Sequence, residues 1–134
     1  MRDFSQIYKR LRYLMLEKLP EYIDKKNKDE NDGLILKPFT NKEVIQGNLK
    51  TPFFTLTYDE SEQGVKDRII DLIQYKFVIE LSLDNNSKDQ ITEFCRYTDA
   101  IINMLEEDDF EYWHFHKYKT VGTKKLILTV CVEW

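Results

Sequence analysis

The stretch DRIIDLIQYKFVIELSL, residues 67–83, decides the fold. Ile69, Asp71, Ile73, Tyr75, Phe77, Ile79, Leu81 and Leu83 fall on one face of an extended chain. Leu72, Gln74, Lys76, Val78, Glu80 and Ser82 fall on the other. Strand side chains alternate between faces, so the pattern predicts a half-buried antiparallel strand much longer than usual. Tyr75 to Leu83 reads as its core-packed part, and the more polar Asp67 to Leu72 as an end that projects.

Reading onward, Asn85 and Asn86 break the strand, and Ser87-Lys88-Asp89-Gln90 has the form of a capping box. A helix from Ser87 to about Leu105 then buries Ile91, Phe94, Cys95, Thr98, Ile101, Ile102 and Leu105. Glu106, Glu107, Asp108 and Asp109 follow. Acids oppose the dipole at a helix C-terminus, so they are expected in an exposed loop. The chain closes in a hairpin around Gly122-Thr123, which suits a two-residue type II′ turn. That register sets Phe115 opposite Val130, Trp113 opposite Val132, and His114 and His116 opposite Cys131 and Thr129.

Reading backward, Pro52 introduces Phe53-Phe54-Thr55-Leu56-Thr57-Tyr58, a strand by its aromatic and β-branched content. Asp59 to Lys66 joins it to the long strand, either as a loop or as the twisted tip of a long hairpin. Leu34 to Leu36, ended by Pro38, is at most a short edge strand. Phe4, Ile7, Tyr8, Leu11, Leu14, Met15 and Leu19 make one apolar stripe on a helix from Asp3 to Leu19, stopped by Pro20. The polar run Asp24 to Asp32 is expected to be a mobile loop. The whole is a single α+β domain, residues 1–134. Its antiparallel sheet of four to five strands carries two helices, in the order α-β-β-β-α-β-β.

Composition agrees with a globular chain: 134 residues, 42% apolar and 33% charged. Eight Tyr, eight Phe and two Trp demand a core or an interface. The net charge of −4 gives no general attraction to nucleic acid. It is unevenly spread. Residues 1–28 hold eight basic side chains against Asp3, Glu17, Glu21 and Asp24. Either a solvated helix face or a basic patch that meets an acidic patch on another copy explains this. Cys95 and Cys131, both read as semi-buried, suggest neither a disulfide framework nor a zinc motif, and fit a reducing compartment. No apolar run reaches membrane-spanning length, and the charged amphipathic N-terminus does not read as a signal peptide.

No catalytic constellation stands out. His114, His116 and Cys131 share a predicted face, but zinc sites need three or four ligands at about 2.0–2.3 Å, and a further ligand is not evident. Ser5, Ser61, Ser82 and Ser87 lack a nucleophile-elbow context. Gly33, Gly47, Gly64 and Gly122 are too scattered to cradle phosphate. The acids at Asp59-Glu60-Glu62 and Glu106–Asp109 read as solvated loops, not as a glycosidase or nuclease pair. Tyr112, Trp113, Phe115 and Tyr118 among lysines have the form of a single-strand nucleic-acid platform, but alternating strand aromatics more often form core and rim. No enzyme activity, metal or cofactor is expected.

Taken together, Leu19-Pro20, Pro52-Phe53-Phe54-Thr55-Leu56-Thr57, Arg68 to Leu83, the helix from Ser87 and the hairpin to Trp134 resemble the neck and tail terminator proteins of tailed bacteriophages. The similarity lies in element order and texture over most of the chain, and Leu34 to Lys50 departs from it. The resemblance implies a non-enzymatic structural protein, in the virion or in the bacterial host's cytoplasm. It implies a homo-oligomeric ring, commonly a hexamer, that contacts tail-tube and neck proteins and caps the tube, with no membrane involved. DNA passes through such a ring without specific binding. On this reading Asp59, Glu60, Glu62, Lys66, Asp67, Arg68 and Asp71 form a candidate assembly or lumen loop. Lys9, Arg10 and Arg12 form a candidate basic inter-subunit patch. The alternative is a small non-enzymatic module that binds a protein or a ligand.

Overall fold

The computed structural model describes residues 4–39, 52–63, 72–83, 89–109 and 114–133. Its elements are α1 (Phe4–Tyr13), a π-helical turn (Leu14–Lys18), α2 (Leu19–Glu30), β1 (Phe53–Gln63), β2 (Leu72–Ser82), α3 (Gln90–Glu107), β3 (His114–Val121) and β4 (Lys125–Glu133). The α+β class is as the sequence indicates, with one four-stranded antiparallel sheet in the order β1-β2-β4-β3. Strand β4 lies between β2 and β3, so the connection through α3 carries the chain past one strand position before the hairpin turns back.

The long strand is the centre of this sheet. Phe77, Ile79 and Leu81 are buried on one face of β2. They stand between Tyr58, Leu56 and Phe54 of β1 and, for the first two, Leu128 and Leu126 of β4. Because directly opposed residues share a face, these side chains form one apolar layer. The helices cover it with Ile7, Leu11, Leu19, Ile101 and Met104, all in the same core. Each fully buried aliphatic or aromatic side chain contributes about 1.5–3 kcal/mol.

The N-terminal helix does not stop at Pro20. It runs on through α2 to Glu30, so the loop expected at Asp24–Asp32 is helical up to Glu30. Proline lacks the N–H of an α-helical bond and its ring collides with the carbonyl four residues back. The π turn, closed by the Leu19 N–H donating to the Leu14 carbonyl, precedes Pro20 and widens the helix there. The core requires this too. Ile7, Leu11, Met15, Leu19 and Ile23 are all buried and spaced by four. At about 100° per residue, sixteen residues would carry that stripe about 160° around a regular helix axis. A wider turn brings it back. Beyond it, Asp24–Lys28 and Lys26–Glu30 pair one turn apart, at 3.0 and 3.1 Å.

Leu34–Leu36 is not a strand. After Asn31, a left-handed C-cap at φ 42°, the chain becomes an extended strap. The Asn27 side chain holds it as a strand would. Its Oδ1 accepts from the Leu36 N–H at 2.8 Å and its Nδ2 donates to the Leu36 carbonyl at 2.9 Å. The Tyr97 hydroxyl donates to the Lys37 carbonyl at 2.6 Å, and burial pushes that phenol's pKa up. Phe39 then inserts between Tyr97 and Phe54, with ring centroids 4.6 and 5.7 Å away.

The N-cap of helix α3 falls two residues after the expected one, and Ser87 lies outside the described residues. Asp89 is the N-cap: its Oδ1 accepts from the Thr92 N–H at 3.0 Å and its Oδ2 from the Thr92 hydroxyl at 2.6 Å. A carboxylate suits the helix's positive end, and these bonds hold its pKa below the usual range. Ile91 and Cys95, expected inside, are exposed, on a stripe continued by Asp99, Asn103 and Glu106. Tyr97, Ala100 and Met104 are buried instead. The helix meets both the N-terminal rod and the sheet, so its buried face is wider than one amphipathic stripe.

The hairpin register is met by two departures that cancel. The turn has three residues, Gly122-Thr123-Lys124, so Val121 pairs with Lys125. A bulge between Phe115 and Lys117 then restores Phe115↔Val130 and His114↔Cys131, while Lys117 takes the place expected of His116 opposite Thr129. Trp113 lies outside the described residues. Gly122 has φ +58°, with open space where a Cβ would stand. Gly122→Val is therefore expected to cost about 1–2 kcal/mol through backbone strain alone, and Gly122→Asn less. Urea midpoints of the two variants check this.

Candidate functional site

The expected basic patch is divided by the fold. Lys9 is exposed and Arg12 half-buried. Arg10 turns inward to pair with Asp108, whose side chain is only 6% exposed, and its guanidinium lies 5.1 Å from the centre of the Tyr13 ring. The hydrogen bond from Arg10 Nε to Asp108 Oδ2 is 3.3 Å. Arg10 thus ties α1 to the end of α3.

This pair also explains why α3 extends past Leu105 into the acids that were expected to form a loop. Glu107 accepts from the Tyr22 hydroxyl at 2.5 Å, and Asp108 has Arg10. Their contacts offset the dipole's repulsion. Glu106 and Asp109 remain exposed. The bond to Glu107, with burial and nearby acids, pushes the Tyr22 phenol up to about 12.

The acidic half of the candidate assembly loop is strand. Glu60 pairs with Lys76, Glu62 with Gln74 and Gln63 with Ile73, while Asp59 is the extra residue of a bulge after Tyr58. The hairpin-tip alternative therefore holds for Asp59–Gln63. Leu72, read as part of a projecting end, is paired with Glu133 inside the sheet. Lys66, Asp67, Arg68 and Asp71 lie outside the described residues.

The sheet face turned away from the helices carries the positions His114 and Cys131, which the sequence places on a shared face. Its rows are Glu60–Lys76–Thr129–Lys117, Thr57–Val78–Ile127–Lys119 and Thr55–Glu80–Lys125–Val121. Lys117, Lys119 and Lys125 are exposed, while Val78 and Ile127 are half-buried. Both register shifts fall on the outer strands, at Asp59 in β1 and His116 in β3. Bulges and charges on outer strands block further strand pairing. The edges are guarded, and among the described residues no helix covers the broad face, where Thr129 is buried and Lys117, Lys119 and Lys125 are exposed.

Among the described residues there is no group of three or more His, Cys, Asp or Glu able to hold a metal ion. A cleft of ≈ 270 Å³ beside the start of α3 is lined by Glu80, Ser82, Gln90 and Lys124, with Glu80 its one carboxylate among the described residues. No helix among the described residues is long and apolar enough to cross a membrane.

An ion pair between Arg96 and Asp32 fixes the strap. Arg96 Nη1 donates to Asp32 Oδ1 at 2.9 Å and to the Leu34 carbonyl at 3.3 Å, and Nη2 reaches Asp32 Oδ2. The Arg96 guanidinium holds the Asp32 pKa at about 2, below the ordinary 3.8. A carboxyl with a lowered folded pKa stabilises above its unfolded value and loses that contribution as pH falls through the folded one. The Asp32 share is thus complete above about pH 4 and lost toward pH 2. Following the Asp32 carboxyl carbon by NMR should show titration near 2, returning to the ordinary range in Arg96→Gln.

No protein-family model matches the chain, and comparison with curated proteins and with solved structures likewise returned no match.

Proposed function

We propose that this chain is a structural, ring-forming protein of the neck and tail terminator kind, which caps a phage or prophage tail tube and leaves a channel for DNA. The observation that carries the reading is the combination of guarded edges with an open, charged sheet face. Such a chain associates through faces and does not extend its sheet. A ring requires two different patches that meet head to tail, and the basic sheet face and acidic α3 end supply them. Support also comes from the element order, helix, hairpin, helix, hairpin, which fits the resemblance drawn from Leu19-Pro20, the Pro52 strand and the long strand. The role needs neither cofactor nor catalysis: the sheet acts as a rigid plate, and the subunit contacts act on assembly alone.

Electron microscopy of the purified chain, alone and mixed with tail tubes, tests the proposal. The expected result is rings in solution or a ring at one end of each tube. A chain that stays monomeric and leaves tube ends bare contradicts it. The alternative is a ligand-binding module; the Glu80–Lys124 cleft among the described residues, at ≈ 270 Å³, is smaller than the usual ≈ 300–1,000 Å³ of ligand pockets.

A further inference from the structure

Charge is divided between the two sides of this molecule. Residues 89–109 hold seven carboxylates against Arg96, and residues 114–133 hold four lysines against Glu133. The fold separates these groups in space. The β3–β4 lysines Lys117, Lys119 and Lys125 stand on the open face of the sheet with Lys76 of β2, where Glu80 lies opposite Lys125 and Glu60 opposite Lys76. The carboxylates belong to α3, on the helical side, where Glu106 and Asp109 are exposed beside Glu107 and Asp108. The C-terminal dipole of the helix adds to their negative potential. Between the lysines the open face presents Val78 and Ile127, half-buried, flanked by Thr57 and Thr129. An apolar centre with a charged rim is the form of a protein contact. A single-strand nucleic-acid platform would present aromatic rings there. Tyr118, the described β3 tyrosine, lies opposite Leu128, on the helix-covered side.

We infer that the open sheet face, through Lys117, Lys119 and Lys125, seats the acidic C-terminal end of α3, Glu106 and Asp109, of a second copy of this chain. This rests on the ring reading and names its interface. The two patches lie on opposite sides of one sheet, so they cannot pair with each other within a chain. A copy docked on the first leaves its own second patch available, which is the head-to-tail geometry that closes into rings. The patch therefore differs from the one centred on Lys9, Arg10 and Arg12, where Arg10 is held by Asp108.

Sedimentation velocity at about 50 mM salt, where surface charges are weakly screened, tests this with four full-length proteins. They are the natural chain, K117E/K119E, E106K/D109K and the fourfold variant. All four altered positions are exposed, so each protein is expected to fold, as circular dichroism will show. The natural chain should associate, and its association constant should fall with added salt. Each double variant alone should associate at least ~10-fold more weakly. A mixture of the two should recover association, because each then supplies the patch the other lacks, and the fourfold variant should recover it within one chain. If the natural chain associates but both double variants match it, the interface is wrong while the ring reading stands. A natural chain that is monomeric here, with bare tube ends under the microscope, overturns both. Binding of a fluorescent single-stranded DNA that K117E/K119E abolishes, without association of the natural chain, makes the face a nucleic-acid surface and overturns the inference.

Discussion

Replacing Phe77 with alanine is expected to cost about 3–5 kcal/mol of stability. Phe77 is fully buried at the middle of β2, opposite Tyr58 on one side and Leu128 on the other. Its ring packs edge-on against Tyr58, with centroids 5.6 Å apart. Removing it takes away the transfer energy of a large aromatic group and leaves a cavity between two strands. Neither can close that cavity without breaking its own pairing. A domain of this size has roughly 5–15 kcal/mol in total, so the variant should be close to unfolding. Urea denaturation should show a much lower midpoint at an unchanged slope. Phe77→Leu, which keeps most of the volume, should lose far less. A loss under about 1 kcal/mol in Phe77→Ala would mean that the strand is not central.

The second large effect belongs to a polar residue. Asn27→Ala should cost about 2–3 kcal/mol, because it leaves both backbone groups of the buried Leu36 without the partner they have now. The strap is expected to loosen, which would also withdraw Phe39 from between Tyr97 and Phe54. Asn27→Asp keeps the acceptor for the Leu36 N–H but sets a carboxylate against the Leu36 carbonyl, so it should not rescue the site. Hydrogen exchange separates this from a general loss of stability. The Leu36 amide should lose its protection while amides in the middle of β2 and β4 keep theirs. A Leu36 amide as protected as before would contradict the role given to Asn27.

These two residues also mark what the sequence made legible. Phe77 lies in a run whose alternation is unambiguous, and β2, its burial and its antiparallel pairing follow from that pattern. The strap was hidden because its partner is a side chain: an Asn in a polar run carries no periodic signal. The π turn was hidden for a related reason. Pro20 is a strong stop signal when read locally, whereas the spacing by four from Ile7 to Ile23 carries meaning only when summed over the whole rod. The capping-box pattern points to Ser87, whereas Asp89 caps α3, its two oxygens engaging both donors of Thr92.

The candidate site was legible in composition but not in place. Charge asymmetry is visible along the chain, yet its largest contrast in the fold lies between α3 and the β3–β4 hairpin. Part of the N-terminal excess is used within the helical layer. Arg10 reaches Asp108, while Lys26 reaches Glu30 and Asp99. The bulges that guard the edges depend on register, which a single strand cannot reveal.

The account's central claim is that this chain is a ring subunit, and light scattering on the eluting natural protein tests it most directly. At about 50 mM salt and high protein concentration, where charged faces attract, the predicted result is a closed species at a fixed multiple of the chain mass, sixfold in the arrangement proposed. A mass equal to one chain at every concentration, with or without tail tubes, would contradict it.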